Sequence, residues 1–405
     1  MKFLPFLACC LIASSPASAN TTDGKTTKSE ATADTPHLSL ELNPDVKLKF
    51  GGRLYLDWTS AFGDSSFDTD DGVEFRAARF YVAGTLYDLV DWKAQYDFAG
   101  GDTDFKDVYM AVKDVVGDAD VKIGHFKEPF SLEEQTSSRF ITFDERSLAN
   151  AFTPGRNTGV MVSDGVGESG FGWAAGVFRA SDAFGNSNDQ SHADNPDQRD
   201  SEYSFTARVA GDLLPERDDV LHVGVAASYR QPNDGKVRFR SRPEAHLLST
   251  VASSGSTLAN DVILYGGELA WVHGPASVQG EYIMASVNAE TSSNDADYAG
   301  YYVEGSYFLT GESRNYKKLK FDRVSPLENR TREGGRGAHQ VAVRYSMLDL
   351  DDGPSNDQMS DITIGYNWYL NPHTVVKLNY VRSNFDDGSV DDDANIFILR
   401  FQIDW

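Results

Sequence analysis

The chain has 405 residues, 40% hydrophobic and 12% aromatic, with 37 Lys plus Arg against 61 Asp plus Glu and a formal charge of −24. A mean hydropathy of −0.42, with no apolar run near the roughly 18 residues that a membrane helix needs, excludes a helical membrane protein but not a β-barrel. So large an acidic excess also argues against a nucleic-acid partner, because phosphates are neutralised by Lys and Arg.

Residues 1–19 read as a secretory signal peptide. Lys2 precedes an apolar stretch, Phe3–Ala13, and the small-residue site Ala17-Ser18-Ala19 places cleavage before Asn20. Both cysteines, Cys9 and Cys10, leave with this leader. The exported chain is then neither a disulfide scaffold nor a thiol enzyme, and it belongs in a bacterial envelope. Residues 20–45, rich in Thr, Asp, Lys and Ser, read as a flexible periplasmic lead-in.

From Val46 the pattern alternates. Val46, Leu48, Phe50, Leu54, Leu56 and Trp58 share one face; Lys47, Lys49, Arg53, Tyr55 and Asp57 share the other. Such segments recur near 46–58, 73–87, 92–100, 105–115, 120–128, 155–163, 171–180 and 203–213. The second half adds 220–231, 262–273, 275–288, 299–310, 338–349, 361–370, 374–384 and 395–405. Sixteen is an even number, so both chain ends lie on one side of the membrane. Short links such as His273-Gly274-Pro275 and Asn371-Pro372-His373 fall on the periplasmic side. Long acidic links at 59–72, 182–202, 232–261, 289–298, 350–360 and 385–394 fall outside; the long link 311–337 is the exception. A soluble all-β sandwich is the alternative, but it would bury most of its aromatics. Tyr, Trp and Phe gather instead at the strand ends, and the chain closes on Phe397, Leu399, Phe401, Ile403 and Trp405. The expected fold is all-β: a sixteen-stranded antiparallel transmembrane β-barrel over residues 46–405.

Charge placement bears on the solute. The Asp clusters at 64–71, 349–352 and 386–393 sit in outer links, facing water or the divalent cations that bridge surface lipid. The polar strand faces are more basic: Arg53, Arg79, Arg208, Arg230 and Arg344. Arg238, Arg240 and Arg242 alternate with Phe239 and Ser241, so extended backbone projects three guanidinium groups to one side, about 7 Å apart. A row of that kind gives an anion successive contacts without one deep trap. Lys317, Lys318 and Lys320 fall on the same side as Lys47 and Lys49. The alternative is that these arginines pair with neighbouring carboxylates and stiffen the wall. Residues 131–154, with Glu133, Glu134, Arg139, Asp144, Glu145 and Arg146, form an external link long enough to fold inward and narrow the lumen.

Ile123-Gly124-His125-Phe126-Lys127-Glu128-Pro129-Phe130, Thr136-Ser137-Ser138-Arg139 and Pro154-Gly155-Arg156-Asn157 resemble the phosphate-selective porin O and P family. So do Tyr307-Phe308-Leu309-Thr310-Gly311-Glu312 and Asn367-Trp368-Tyr369-Leu370-Asn371-Pro372. The resemblance implies a homotrimeric channel for phosphate or related small anions in a Gram-negative outer membrane, with an inward-folded constriction loop. It implies an outer arginine ladder at Arg238, Arg240 and Arg242, which Arg230 extends, and a constriction wall at Arg53 and Arg79. Ser137, Ser138 and Arg139 would be the constriction-loop residues, and Lys47, Lys49, Lys317, Lys318 and Lys320 a periplasmic lysine cluster. Lipid, lipopolysaccharide and the β-barrel assembly machinery are the expected partners, the last reading a C-terminus that ends on Trp405 instead of the usual Phe. The chain departs from the family pattern at Glu133-Glu134-Gln135, where members carry a lysine, and at Arg76-Ala77-Ala78-Arg79, where they double the arginine. An aspartate of the family site corresponds to Asp97 or Asp107.

No cofactor, metal site or enzyme activity is expected: there is no HExxH, no Gly-x-Ser-x-Gly and no His pair at ligand spacing. Gly165–Gly170 matches GxGxxG, but a strand-like segment follows it where a nucleotide site needs a helix. A general, weakly selective diffusion pore remains the alternative function, with a barrel hydrolase behind it.

Overall fold

A computed structural model describes residues 38–43, 45–64, 66–67, 71–165, 170–186, 203–214, 219–232 and 235–405. The expected signal peptide, most of the lead-in, Asp68, Asp70, the middle of the Gly165–Gly170 motif and residues 187–202 lie outside them.

Sixteen antiparallel strands form the wall. In chain order they are β1 Val46–Gly63, β2 Gly72–Leu86, β3 Val90–Asp97, β4 Asp104–Val116, β5 Ala119–Lys127, β6 Arg156–Asp164, β7 Phe171–Arg179 and β8 Tyr203–Asp212. Then come β9 Val220–Arg230, β10 Thr257–His273, β11 Ala276–Ala289, β12 Ala296–Phe308, β13 Ala338–Leu350, β14 Asp357–Asn371, β15 Thr374–Asp386 and β16 Asp391–Asp404. Each pairs with its neighbours in sequence, and β16 returns to β1 from Arg53↔Asp404 to Gly63↔Ala394, which closes the barrel. Closure removes the free edges that an open sheet would carry into lipid. All sixteen expected strands are present. The largest boundary differences, five residues, are at the outer ends of β1 and β10, where 58 becomes 63 and 262 becomes 257.

The alternation expected for β1 holds: Trp58 is 61% exposed on the outer face, while Arg53 and Asp57 are buried on the inner one. Phe80, Val225, Tyr282, Ile364 and Phe401 continue the outward apolar band. One expectation needs correction. The lead-in is not irregular throughout, because Leu38–Asn43 is a strand paired antiparallel with the start of β1, from Leu38↔Phe50 to Asn43↔Val46. It takes the place beside β1 that β16 vacates after Asp404. Its own alternation of Leu38, Leu40 and Leu42 with polar residues is the reason, hidden behind a long polar approach.

The inner face is not uniformly polar either. Toward the outer ends of β10 to β16, residues such as Leu264, Ile283, Leu348, Ile396 and Ile398 point inward and are buried. Two external links fold in to cover them. Phe130, just before the 131–154 link, and Leu148 and Phe152 within it join Ala245, Leu248 and Ala252 of residues 238–254 in one apolar core. The close approach depends on wall glycines: a Cβ on Gly300 would lie 3.0 Å from Ala149 Cα, and one on Gly365 3.0 Å from the Phe143 ring. The anomalously long periplasmic link enters from the opposite end, where Phe321 packs with Leu132, Ala270 and Val272. Three segments thus fill one side of the lumen and leave a cavity toward β1–β6.

Candidate functional site

Residues 131–154, the expected constriction loop, fold into the barrel, and the wall holds them by their backbone. Glu281 on β11 accepts hydrogen bonds from the N–H groups of Leu132 (2.9 Å) and Glu133 (2.7 Å). Lys377 on β15, fully buried, donates to the carbonyls of Ile141 (2.8 Å) and Phe143 (3.1 Å). Asn367 donates to Thr142 O at 2.8 Å and Gln402 to Arg139 O at 3.0 Å. Arg400 pairs with Asp57 at 2.6 Å and Glu145 at 2.8 Å, and donates to Asp144 O. Backbone groups that would otherwise be stranded inside the barrel are thereby satisfied.

Opposite this loop, Arg53 and Arg79 face each other across β1 and β2. Arg53 Nη1 donates to Ser138 Oγ at 2.8 Å, and Arg79 Nε to Asp97 at 2.6 Å. Strict alternation from Arg79 would turn Arg76 toward lipid. The register instead jumps from Tyr55↔Ala77 to Leu56↔Phe75, leaving Arg76 as the extra residue of a β-bulge. The bulge aims Arg76 into the lumen, where it forks onto Glu145 at 2.8 and 2.9 Å. Both arginines of the Arg76–Arg79 segment therefore serve the lumen despite their spacing.

Between loop and wall lies a cavity of about 320 Å³ lined by 23 residues, eleven of them Arg or Lys and three Asp or Glu. Asp107 sits between Lys93 and Arg156, at 2.7 Å from each. Four lining cations, Arg53, Lys122, Arg139 and Lys320, form no ion pair among the described residues. Instead, Lys122 stands 4.8 Å over the Tyr109 ring and Arg139 donates to Ser137 Oγ at 3.4 Å.

The family described as phosphate-selective porin O and P matches residues 48–405. The chain belongs to that family. It is 29% identical to Porin O of Pseudomonas aeruginosa over 406 residues, 88% of each chain. It is also 26% identical to an uncharacterised Caulobacter vibrioides protein, covering 82% of this chain and 68% of that one. Among solved structures it is similar to OmpT, an outer membrane protein of Vibrio cholerae, with a TM-score of 0.54 at 14% identity, covering 90% of this chain and 99% of that one. The anion-selective porin of Comamonas acidovorans gives a TM-score of 0.54 at 13% identity, with 89% and 100% covered. This chain is accordingly a porin of the Gram-negative outer membrane, a channel and not an enzyme.

The porin brings some of the expected residues together and separates others. Arg53, Arg79, Ser137, Ser138 and Arg139 all line the cavity. Arg238, Arg240 and Arg242 are exposed on one side of the second inward link, while Phe239 turns in against Phe152 at 4.9 Å. Arg230 does not extend that row: its guanidinium is committed at 2.8 Å to Glu128, which is completely buried. Arg208 and Arg344 likewise fasten structure, on Glu268 and on Glu133 with Glu244. The five lysines do not form one cluster. Lys320 lines the cavity, Lys317 and Lys318 are exposed at the tip of its hairpin, Lys49 is exposed, and Lys47 pairs with Asp88 at 3.1 Å. Lys93, Lys122, Lys127, Arg146, Arg156 and Arg400 are lining cations that the sequence reading does not assign. Strand parity puts Lys93 on a polar face, but nothing local shows which polar faces border the open half.

Two buried loop carboxyls should make the selectivity depend on pH. Burial pushes Glu133 up to about 7, against the pull of Arg344, and Asp144 up to about 6, against Arg400 and Lys377. Both lose their negative charge as pH falls, so the anion-to-cation permeability ratio should rise on going from pH 8 to pH 5. Reversal potentials under a salt gradient would show this, and the double variant Glu133→Gln, Asp144→Asn should flatten the profile.

Proposed function

We propose that this porin conducts small oxyanions passively along its basic path, with phosphate as the preferred solute. The observation that carries this reading is the cavity itself, where eleven cations face three carboxylates and the hydroxyls of Ser137 and Ser138 lie between Arg53 and Arg139. Guanidinium, ammonium and hydroxyl donors spread along a wall suit tetrahedral oxyanions, and no single group forms a deep well. Arg53, Arg79, Ser137, Ser138 and Arg139 form the narrow site in this reading, with Arg238, Arg240 and Arg242 as the outer approach and Lys320 beside Lys122 as the inner one. The family's description and Porin O support phosphate as the solute.

The same reading makes residues 1–19 the export signal and the protein a homotrimer, in keeping with a trimer form among the structures of Vibrio cholerae OmpT. Trp405, whose backbone bonds Gly52 across the closure, then presents the C-terminal aromatic to the assembly machinery. The acidic outer links face lipopolysaccharide through divalent cations.

Single-channel recording in planar bilayers, with phosphate titrated against chloride current, tests the function. Anion-selective reversal potentials and block by phosphate are the expected result; a large, weakly selective conductance indifferent to phosphate would reduce the protein to a general diffusion pore. Replacing Arg238, Arg240 and Arg242 together with Ala should lower the anion-to-cation ratio about two- to threefold at low salt and less at high salt, since exposed charges are screened. An unchanged ratio would remove those residues from the path.

A further inference from the structure

The constriction loop carries into the lumen a carboxylate that looks out of place in an anion path. Glu134 sits between Lys127, from the end of β5, and Arg146, from its own loop, at 3.0 Å from each. Both cations line the cavity, while the Glu134 side chain is only 8% exposed. The three groups together carry a single positive charge where two bare cations would stand.

The two cations are also anchored by backbone carbonyls. Lys127 Nζ also donates to Glu134 O, and Arg146 donates to Glu134 O (3.4 Å), Glu133 O (3.2 Å) and Thr136 O (3.1 Å). Glu134 N donates in turn to Ser131 Oγ at 3.1 Å, which fixes the backbone of the turn. These backbone bonds would remain if the carboxylate were neutralised. Its main effect is electrostatic, filling the fork that an oxyanion would otherwise occupy between an ammonium and a guanidinium.

We propose that Glu134 is a resident counter-ion that sets how tightly this porin holds its solute. A permeating oxyanion must be attracted into the narrow site and then released, and release is fast only where the well is shallow. With Glu134 in place, Lys127 and Arg146 draw the anion by their residual charge without chelating it. This rests on the anion-path reading, and it makes Glu134 a residue that tunes the channel rather than one that opposes its selectivity.

The test is phosphate block of chloride current through the full-length porin in planar bilayers, comparing wild type, Glu134→Gln and Glu134→Asp. Glu134→Gln should lower the half-blocking concentration of inorganic phosphate on the order of tenfold and lengthen the blocked dwell time, because the neutral amide frees both cations while the backbone keeps them in place. Glu134→Asp retains the charge and should stay within about threefold of wild type. The double variant Lys127→Met, Glu134→Gln removes one charge of each sign and should return toward wild-type block. Heat-modifiable migration confirms that each barrel is folded, and the double variant carries the test should the single one misfold. Unchanged or weaker block in Glu134→Gln, in a wild type that is anion-selective, would overturn this inference alone. A wild type without anion selectivity would overturn the functional reading beneath it.

Discussion

Replacing Arg344 with Met should leave the barrel folded but loosen two inward segments at once, raising single-channel conductance at least about twofold and making it noisy. Arg344 on β13 is 1% exposed and serves both loops. It pairs with Glu133 of the constriction loop at 3.1 Å, donates to Glu145 O at 3.0 Å, and donates through both Nε and Nη2 to Oε2 of Glu244 in the 238–254 link. Its guanidinium also lies 4.5 Å over the Phe143 ring. Removing it leaves two carboxylates without their main cation inside the barrel, a change that costs about 3–5 kcal/mol when one partner of a buried pair is lost. The backbone ladders of β13 to β12 and β14 run from Ala338 to Leu350 and do not involve the side chain. Lys at this position should be intermediate, because one ammonium cannot reproduce the planar fork. Conductance histograms and protease cutting of the external links would measure both effects. A wild-type conductance would mean that apolar packing around Phe130 and Leu248 seats the loops unaided.

Neutralising Arg53 and Arg139 together should have the largest effect on selectivity, lowering the anion-to-cation permeability ratio about tenfold and abolishing block by phosphate. Of the cavity-lining arginines, these two contact the hydroxyls of Ser138 and Ser137 and form no ion pair among the described residues. Arg79, by contrast, is held by Asp97 at 2.6 Å, and Arg76 by Glu145. A cation without a carboxylate partner presents its full charge to a passing solute, whereas a paired one presents mostly a dipole. The exposed outer arginines act through water and salt, which is why their removal should matter several times less. Reversal potentials of Arg53→Met, Arg139→Met and the double variant would rank these contributions. A double variant as anion-selective as the wild type would place the selective site elsewhere in the lumen.

Strand parity makes the wall legible because it is a local property. Trp58, Phe80, Phe401 and Ile403 face lipid wherever the register falls, so alternation identifies them directly. The same logic shows where parity is silent. At Ile396-Phe397-Ile398-Leu399 both parities are apolar, Ile396 and Ile398 lying inward and Phe397 outward. That run is the trace of an apolar core inside the barrel, but on sequence alone it looks like a hydrophobic strand. Arg76 was beyond reach for another reason: a bulge is one residue of slip in a register that only the partner strand β1 defines.

The candidate site was half legible. Basic residues on strand faces and a long external link with both charge signs are visible in one dimension, and so are the motifs that place the chain in its family. Pairing is not. Glu244, 4% exposed and gripped by Arg344, Ser346 and Thr363, reads in the sequence as one more loop acid. The long periplasmic link breaks the wiring rule because it too is part of the lumen, its Arg323 bound to Asp404 and its Phe321 N–H directed at Thr136 Oγ1 3.4 Å away.

Strand count, barrel closure and the even wiring that brings both ends to one side are legible in the sequence, since each follows from periodicity or link length. The folded barrel sets where the cavity lies and which of its cations stand without a carboxylate partner. Those properties depend on contacts between residues hundreds of positions apart, such as Arg400 with Asp57 and Lys377 with Ile141. No local pattern encodes such contacts. A buried charge finds its partner only when the closed barrel brings the strands and the inward links to the same place.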